Sequence, residues 1–304
     1  MKKEPIVILG FGRSGTTWVS DIVSKMLGGL ILFEPMHPEV CKDSKLLCYH
    51  NGTDNNLNTK TFDIIQKNLG GEIKNKWLLR NHLSSDLEKV NDVFVNNVWD
   101  NCRIIGYKSI RQNFLIPWIY NNISTKIVFL KRDILSVIAS IIRRERFWEE
   151  YGFEFHEDKF LKEVLISLKY TFLDNRGLLQ LYKTLDDKYL KVAFLWVVTH
   201  VVVEYDLNKF DLPLFEYSNF YTNPYKSSKK LATYLGFEDI ELHPSYLFTP
   251  SMLTLRTFHK NPQNKKYNED GFKVFWEDTL NKSQVQKILT LEKEINSFII
   301  KNNC

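Results

Sequence analysis

The sequence predicts an α/β fold: a parallel β-sheet with helices on both faces, in a single domain. Three observations carry that prediction. Short apolar runs alternate with helical patterns through short connections. The first apolar run ends in a glycine-rich turn that opens a helix. The chain has 304 residues, 44% hydrophobic and 25% charged, a balance that can bury one sizeable core.

Ile6–Leu9 is the first apolar run and reads as a buried strand, followed by a helix over Thr16–Leu27. Leu30–Phe33, Arg103–Tyr107, Lys126–Leu130 and Leu212–Glu216 read as further strands. Helical patterns occupy Phe114–Asn121, Ile134–Arg146 and Tyr225–Leu235, with long helices expected over Asp158–Tyr182, Lys188–Asn208 and Lys282–Lys301. The Asn- and Thr-rich stretch Asn51–Thr61 reads as a loop or an insertion, and Arg256–Gly271 as a mobile segment. The whole of 1–304 is expected to be one domain.

Composition narrows the function. The net charge of +5 comes from 41 basic and 36 acidic residues, which accords with an anionic ligand but lacks the dense basic stripe of a nucleic-acid binder. The run Ile6–Leu9 is too short for the apolar region of a signal peptide, and Val192–Val203 falls short of a bilayer span, so a cytoplasmic protein without a membrane span is expected. Cys41, Cys48, Cys102 and Cys304 show no metal or redox spacing, so no metal is expected; free thiols are the expected state, although Cys41 and Cys48 are close enough in sequence to pair.

The sharpest motif is Gly10-Phe11-Gly12-Arg13-Ser14-Gly15-Thr16-Thr17-Trp18, between the first strand and the first helix. Glycines let backbone N–H groups turn toward an anion, the helix start adds partial positive charge, and Arg13 adds a full one. The spacing from Gly10 to Gly15 is that of a P-loop, with Thr16 where such a loop carries lysine. A second basic strand end, Lys131-Arg132-Asp133, precedes a helix carrying Ser140, two turns in. Ligands of open α/β sheets sit at the carboxyl ends of the strands, where both motifs fall.

In these two motifs the chain resembles the sulfotransferases that use 3′-phosphoadenosine-5′-phosphosulfate (PAPS). Their loop reads Lys/Arg-Ser-Gly-Thr-Thr-Trp, and their strand-end arginine and a serine eight residues later bind the 3′-phosphate. The resemblance implies a P-loop-like fold, PAPS as co-substrate with PAP as product, and cofactor-binding roles for Arg13, Ser14, Gly15, Thr16, Thr17, Trp18, Arg132 and Ser140. Tyr217 matches the family tyrosine that contacts adenine. Arg256, Lys260, Lys265 and Lys266 stand where the family closes a basic loop over the 3′-phosphate, although its Arg-Lys-Gly tripeptide is missing. Leu32-Phe33-Glu34-Pro35-Met36-His37 and Arg13 are similar to the carbohydrate-directed branch, which implies a saccharide-bearing acceptor.

Gly106-Tyr107-Lys108-Ser109-Ile110-Arg111 resembles the family's strand-end lysine segment, with Ile110 where cytosolic members carry a catalytic histidine. The resemblance therefore implies Lys108 and Arg13 acting on the transferred group, with Glu34 as the base and His37 as the alternative. Trp196 reads as core. The acceptor is expected to be a small molecule or a saccharide. Other readings are a P-loop-like nucleotide kinase or NTPase, which would need a lysine at position 16 and an acid for Mg²⁺, and a PAP-binding protein without catalysis. Oligomeric state is not specified by the sequence.

Overall fold

A computed structural model describes residues 4–82, 91–143, 157–166, 169–248 and 276–299. Its centre is a five-stranded parallel sheet in the order β2-β3-β1-β4-β5. The strands are β1 (Ile6–Gly10), β2 (Leu30–Phe33), β3 (Ile104–Ser109), β4 (Lys126–Lys131) and β5 (Leu214–Glu216). All five residues of β1 are buried, as expected of a central strand covered on both faces. The α/β, parallel, two-faced architecture expected from the sequence is the one found. Among the described residues no helix is long and apolar enough to cross a membrane.

Alternation along β1 divides the core. Ile6 and Ile8 face a layer built from helix α1 (Thr16–Leu27), with Trp18, Val19, Ile22 and Val23 packed against Val128, Leu130 and Phe215. Val7 and Leu9 face the opposite layer, which holds Ile65 of α3, Val95 and Trp99 of α4, and Ile116 and Ile119 of α5. These helices, which follow the short α2 (Ser44–Leu47), span Asn55–Leu69, Asp92–Asn101 and Ile116–Asn122 respectively. A third cluster contains no strand residue. It joins α6 (Ile134–Ile142), α8 (Asn175–Lys183), most of α9 (Lys188–Lys209) and the last helix, α13 (Lys282–Ser297), with α7 (Glu157–Phe160) contributing Phe160. Between α9 and α13 lie α10 (Tyr217–Thr222), α11 (Pro224–Tyr234) and α12 (Pro244–Phe248). Trp196 is 3% exposed within the third cluster, a core residue as expected.

Two expectations are corrected, and one helix had not been expected. Asn51–Thr61 is a loop only as far as Asp54: α3 starts at Asn55, because the Asp54 carboxylate accepts the N–H groups of Asn56 and Leu57. Buried Asn58, Thr61, Ile65 and Asn68 then recur at helical spacing, so a polar composition concealed an amphipathic helix. The stretch from 158 to 182 is not one helix. After α7 the backbone widens into a π-turn over Leu161–Ile166, and α8 begins afresh where Asp174 caps Gly177. Finally, α4 was not foreseen; Asn91 caps it by accepting the Phe94 amide. Cys41, Cys48 and Cys102 are free thiols, so Cys41 and Cys48 do not pair.

Candidate anion-binding active site

From central β1 the chain crosses to β2 on one side of the sheet, while β4 connects to β5 on the other. Carboxyl ends diverging in this way leave a crevice between β1 and β4, where ligands of such sheets bind. The loop after β1 and Arg132 after β4 both enter it.

The loop is shaped by backbone demands. Gly15 has φ +88°, and a Cβ there would fall 2.3 Å from the Tyr217 ring. Arg13 also takes a left-handed φ of 72°. The Ser14 amide donates to the Phe11 carbonyl (3.0 Å), which closes the turn. No side chain caps the start of α1, which leaves its first-turn dipoles facing the loop. Thr16 is buried against Gly10, whose added Cβ would meet the Thr16 methyl at 2.7 Å; half-buried Thr17 accepts the Ser20 hydroxyl at its carbonyl.

Long-range contacts join the two motifs. Arg13 Nε donates to Ser140 Oγ at 3.0 Å, and Arg132 Nη1 donates to the Arg13 carbonyl at 3.0 Å. The Arg132 guanidinium lies 4.6 Å over the Tyr217 ring, against which Trp18 packs edge-on at 5.6 Å. Gly15, Trp18, Arg132 and Tyr217, far apart in sequence, thus form one surface.

Two polar atoms of this surface are orphaned. Ser14 Oγ is wholly buried and Arg132 Nη2 is buried in a residue only 7% exposed; neither has a hydrogen-bond partner. Burying donors unpaired is costly, most of all on a charged group. Burial lowers the pKa of Arg132 from its ordinary value, with Tyr217 and Asp133 acting the other way. Together with the glycine turn, these atoms fit an anionic, phosphate-bearing ligand.

The second half of the site lies at the ends of β2 and β3. Glu34, with φ 50°, is 2% exposed; its Oε1 accepts Lys108 Nζ at 2.7 Å and its Oε2 accepts Arg111 Nη1 at 2.8 Å and the Ile110 amide at 3.3 Å. Burial pushes its carboxyl up, but Lys108 and Arg111 outweigh it and hold the pKa below the ordinary value. Burial lowers the Lys108 pKa and Glu34 pulls it back up, with Arg111 and Arg13 adding repulsion. Lys108 Nζ also stands 3.8 Å over the Phe33 ring. Half-buried His37 stacks on Trp77 at 3.8 Å, and its pKa is pushed down to about 3 by burial and by Arg111.

The candidates from the first and second motifs, with Tyr217, therefore gather around one crevice, and Lys108 and Glu34 form an ion pair that Arg13 reaches electrostatically. Arg256, Lys260, Lys265 and Lys266 lie outside the described residues. Sequence reasoning missed Arg111, Phe33, Trp77 and Arg80. Arg111 had a signal, a second cation three residues after Lys108 at a strand end; Trp77 and Arg80 had none, since only the fold brings them to β2.

Fold and site together describe an α/β protein with a candidate anion cradle at the switch point of its sheet. No family model and no curated protein matches the chain. Among solved structures, a sulfotransferase domain from the curacin biosynthetic pathway is 12% identical over 95% of this chain and 98% of its own, with a TM-score of 0.45. A sulfotransferase domain from the Synechococcus PCC 7002 olefin synthase is 13% identical over 96% and 94%, also with a TM-score of 0.45. Retinol dehydratase, in complex with androsterone and inactive cofactor PAP, is 12% identical over 99% and 82%, with a TM-score of 0.39.

Proposed function

We propose that this chain is a sulfotransferase that takes PAPS as co-substrate and an acceptor hydroxyl (or amine), with a saccharide-bearing molecule as the acceptor. One observation carries the reading. The two motifs that resemble PAPS-binding elements meet at the switch point, tied by Arg13 to Ser140 and by Arg132 to the Arg13 carbonyl, and each leaves a buried donor unsatisfied, at Ser14 and at Arg132.

PAPS, when bound, supplies an activated sulfuryl group on a phosphate leaving group. The loop amides, Ser14, Thr16 and Thr17 would hold its 5′ end, and Arg132 and Ser140 its 3′-phosphate. Ser140 Oγ accepts Arg13 Nε, so its own proton is left to donate. Tyr217 and Trp18 offer aromatic surface to the base. Lys108 and Arg13 would stabilise charge that grows at the reacting centre, where fixed cations act with little reorganisation.

Glu34 stands as a positioning residue for Lys108 in this reading, because both its oxygens are spent on cations and its pKa is lowered. His37 is not a ready base either. Its Nδ1 accepts the Glu39 amide at 3.2 Å, so the neutral ring carries its proton on Nε2.

Thermal unfolding with PAP against Mg·ATP tests the reading. A ligand at about a hundred times its Kd adds roughly 2.7 kcal/mol of stability, so PAP should stabilise the protein strongly and ATP little. Labelled sulfate should then pass from PAPS to saccharide acceptors. Stabilisation by ATP with none from PAP would move the site to the kinase or NTPase class.

A further inference from the structure

The loop after β1 and the end of β3 carry the two halves of the site, and one buried side chain touches both. A 3₁₀ turn over Asn113–Leu115 follows β3, closed by the Leu115 amide donating to the Gln112 carbonyl at 3.0 Å. Asn113 opens this turn and is 1% exposed. Its Nδ2 donates to the carbonyl of Gly10, the last residue of β1, at 3.3 Å and to the Ile110 carbonyl at 3.4 Å. Carbonyls can be met only by the donor end of an amide, so chemistry fixes which way the side chain points. Both bonds are long for N–H···O pairs, which leaves them room to shorten when an anion draws the loop in.

Each carbonyl belongs to a segment on which the proposed transfer depends. Gly10 leads into the anion loop and is itself hemmed in: a Cβ there would fall 2.8 Å from the Leu130 carbonyl. Ile110 lies two residues beyond Lys108, and its amide donates to Glu34 Oε2, while Glu34 Oε1 holds the Lys108 ammonium. Both backbone polar groups of Ile110 are thus engaged, the N–H by Glu34 and the carbonyl by Asn113. The two segments also run in contact, since a Cβ on Gly12 would meet Ile110 Cδ1 at 3.6 Å. The root of Asn113 is anchored as firmly as its tip. Phe114 belongs to the third core cluster, and Leu115 and Ile116 to the layer of α3, α4 and α5. A side chain rooted in packed core and bonded to both halves of a site sets the gap between them. Filling a turn is the plainer role for a buried amide, but a filler predicts no split between ligand binding and turnover.

We propose that Asn113 is a positioning residue: it ties the anion loop to the strand end that carries Lys108, and so sets where the Lys108 ammonium stands relative to an anion bound in the loop. The inference rests on the sulfotransferase reading for its effect on turnover, but not for the link between the two segments.

Asn113→Ala in the full chain tests the link by hydrogen exchange, with PAP and inorganic pyrophosphate as probes. In the wild type each should slow exchange at the Gly15 and Thr16 amides of the loop and at the Ile110 amide. In Asn113→Ala the loop amides should still respond while Ile110 does not. PAP affinity by calorimetry should stay within about threefold of wild type. With 4-nitrophenyl β-D-glucoside as acceptor, kcat at saturating PAPS should fall about 10–100-fold, the scale of a small misplacement of reacting groups. Asn113→Gln keeps an amide donor and should restore part of the Ile110 response; Asn113→Asp, close in shape but without the donor, should not. An Ile110 response that survives Asn113→Ala overturns the link. So does a loss of PAP affinity in step with kcat, which is what a misfolded cradle would give. If pyrophosphate moves both segments in the wild type while PAP does not bind, the sulfotransferase reading falls and the link stands. If neither anion slows exchange at the wild-type loop, cradle and link fall together.

Discussion

Gly15 sets the loop's geometry by what it lacks. Its left-handed backbone costs a side-chain-bearing residue about 1–2 kcal/mol, and a methyl there would sit 2.3 Å from the Tyr217 ring. Gly15→Ala must therefore displace Tyr217, and with it the guanidinium of Arg132 stacked on that ring. The variant should lose roughly 2–4 kcal/mol when the backbone cost and overpacking act together, and its PAP affinity should fall more than its fold content. Urea unfolding with PAP titration checks both; a variant of unchanged midpoint would show that the ring moves aside freely.

The same loop shows what was legible. Its glycine spacing, hydroxyls and arginine are local, so they could be read in order along the chain. The pairing of Arg13 with Ser140 spans the loop after β1 and the helix after β4, yet the eight-residue step from Arg132 to Ser140 was visible in sequence. Glu34 was readable as a candidate, but its ion-pair partners were not. Two cations from the end of β3 converge on it only after β2 and β3 pair, and that convergence engages both oxygens of the carboxylate.

At the scale of elements, α9 carries two buried titratable groups with opposite effects on acid stability. His200 is 2% exposed, donates from Nδ1 to the Trp196 carbonyl and stacks on Trp196 at 3.8 Å. Burial pushes its pKa from 6.5 to about 3. Between those values the unfolded chain binds the proton and the folded chain does not, so stability falls as pH drops through that window. Asp206, one and a half turns later, behaves inversely: burial raises its pKa from 3.8 to about 6, against Lys169 and Lys209. Its folded form takes the proton first and gains stability as pH falls from 6 to 3.8. Between about pH 4 and pH 6, His200→Leu should lessen the acid loss by about 1.4 kcal/mol per pH unit, and Asp206→Asn should steepen it by a similar slope. Denaturation midpoints measured across that range decide it, and parallel slopes in the two variants would refute the assignment.

Elements were legible where one signal dominated. The apolar strands and α1 were found because buried parallel strands read as continuous hydrophobic runs. The Asn-rich α3 was missed because caps and buried amides, rather than apolar residues, define its inner face. The break in the 158–182 stretch follows from a new cap at Asp174, a residue that periodicity alone does not weigh.

On the scale of the whole molecule, two core clusters include residues of the sheet and a third is built from helices and loops alone. The cluster joining α9 and α13 holds Leu291, 4% exposed, far along the chain from either phosphate motif. Leu291→Ala should cost about 2–5 kcal/mol through lost burial and a residual cavity. The stability added by PAP should stay the same, since that increment depends only on ligand concentration relative to Kd. Unfolding curves with and without saturating PAP test this; a shrunken increment would mean that the cluster tunes the cradle.

The strand order carries a consequence for the birth of the protein. β1 lies between β3 and β4, so it has no hydrogen-bonding neighbour in the sheet until Ile104–Ser109 has been made. With translation at ~5–20 residues per second, roughly 5–20 s separate the emergence of Gly10 from that of Ile104. During that interval Ile6–Gly10 is an apolar strand with both edges open, the form most prone to pairing with the wrong chain. Folding of α1 back over Ile6 and Ile8, the packing seen in the finished core, would cover one face of the strand and hold it in reserve until the sheet closes around it.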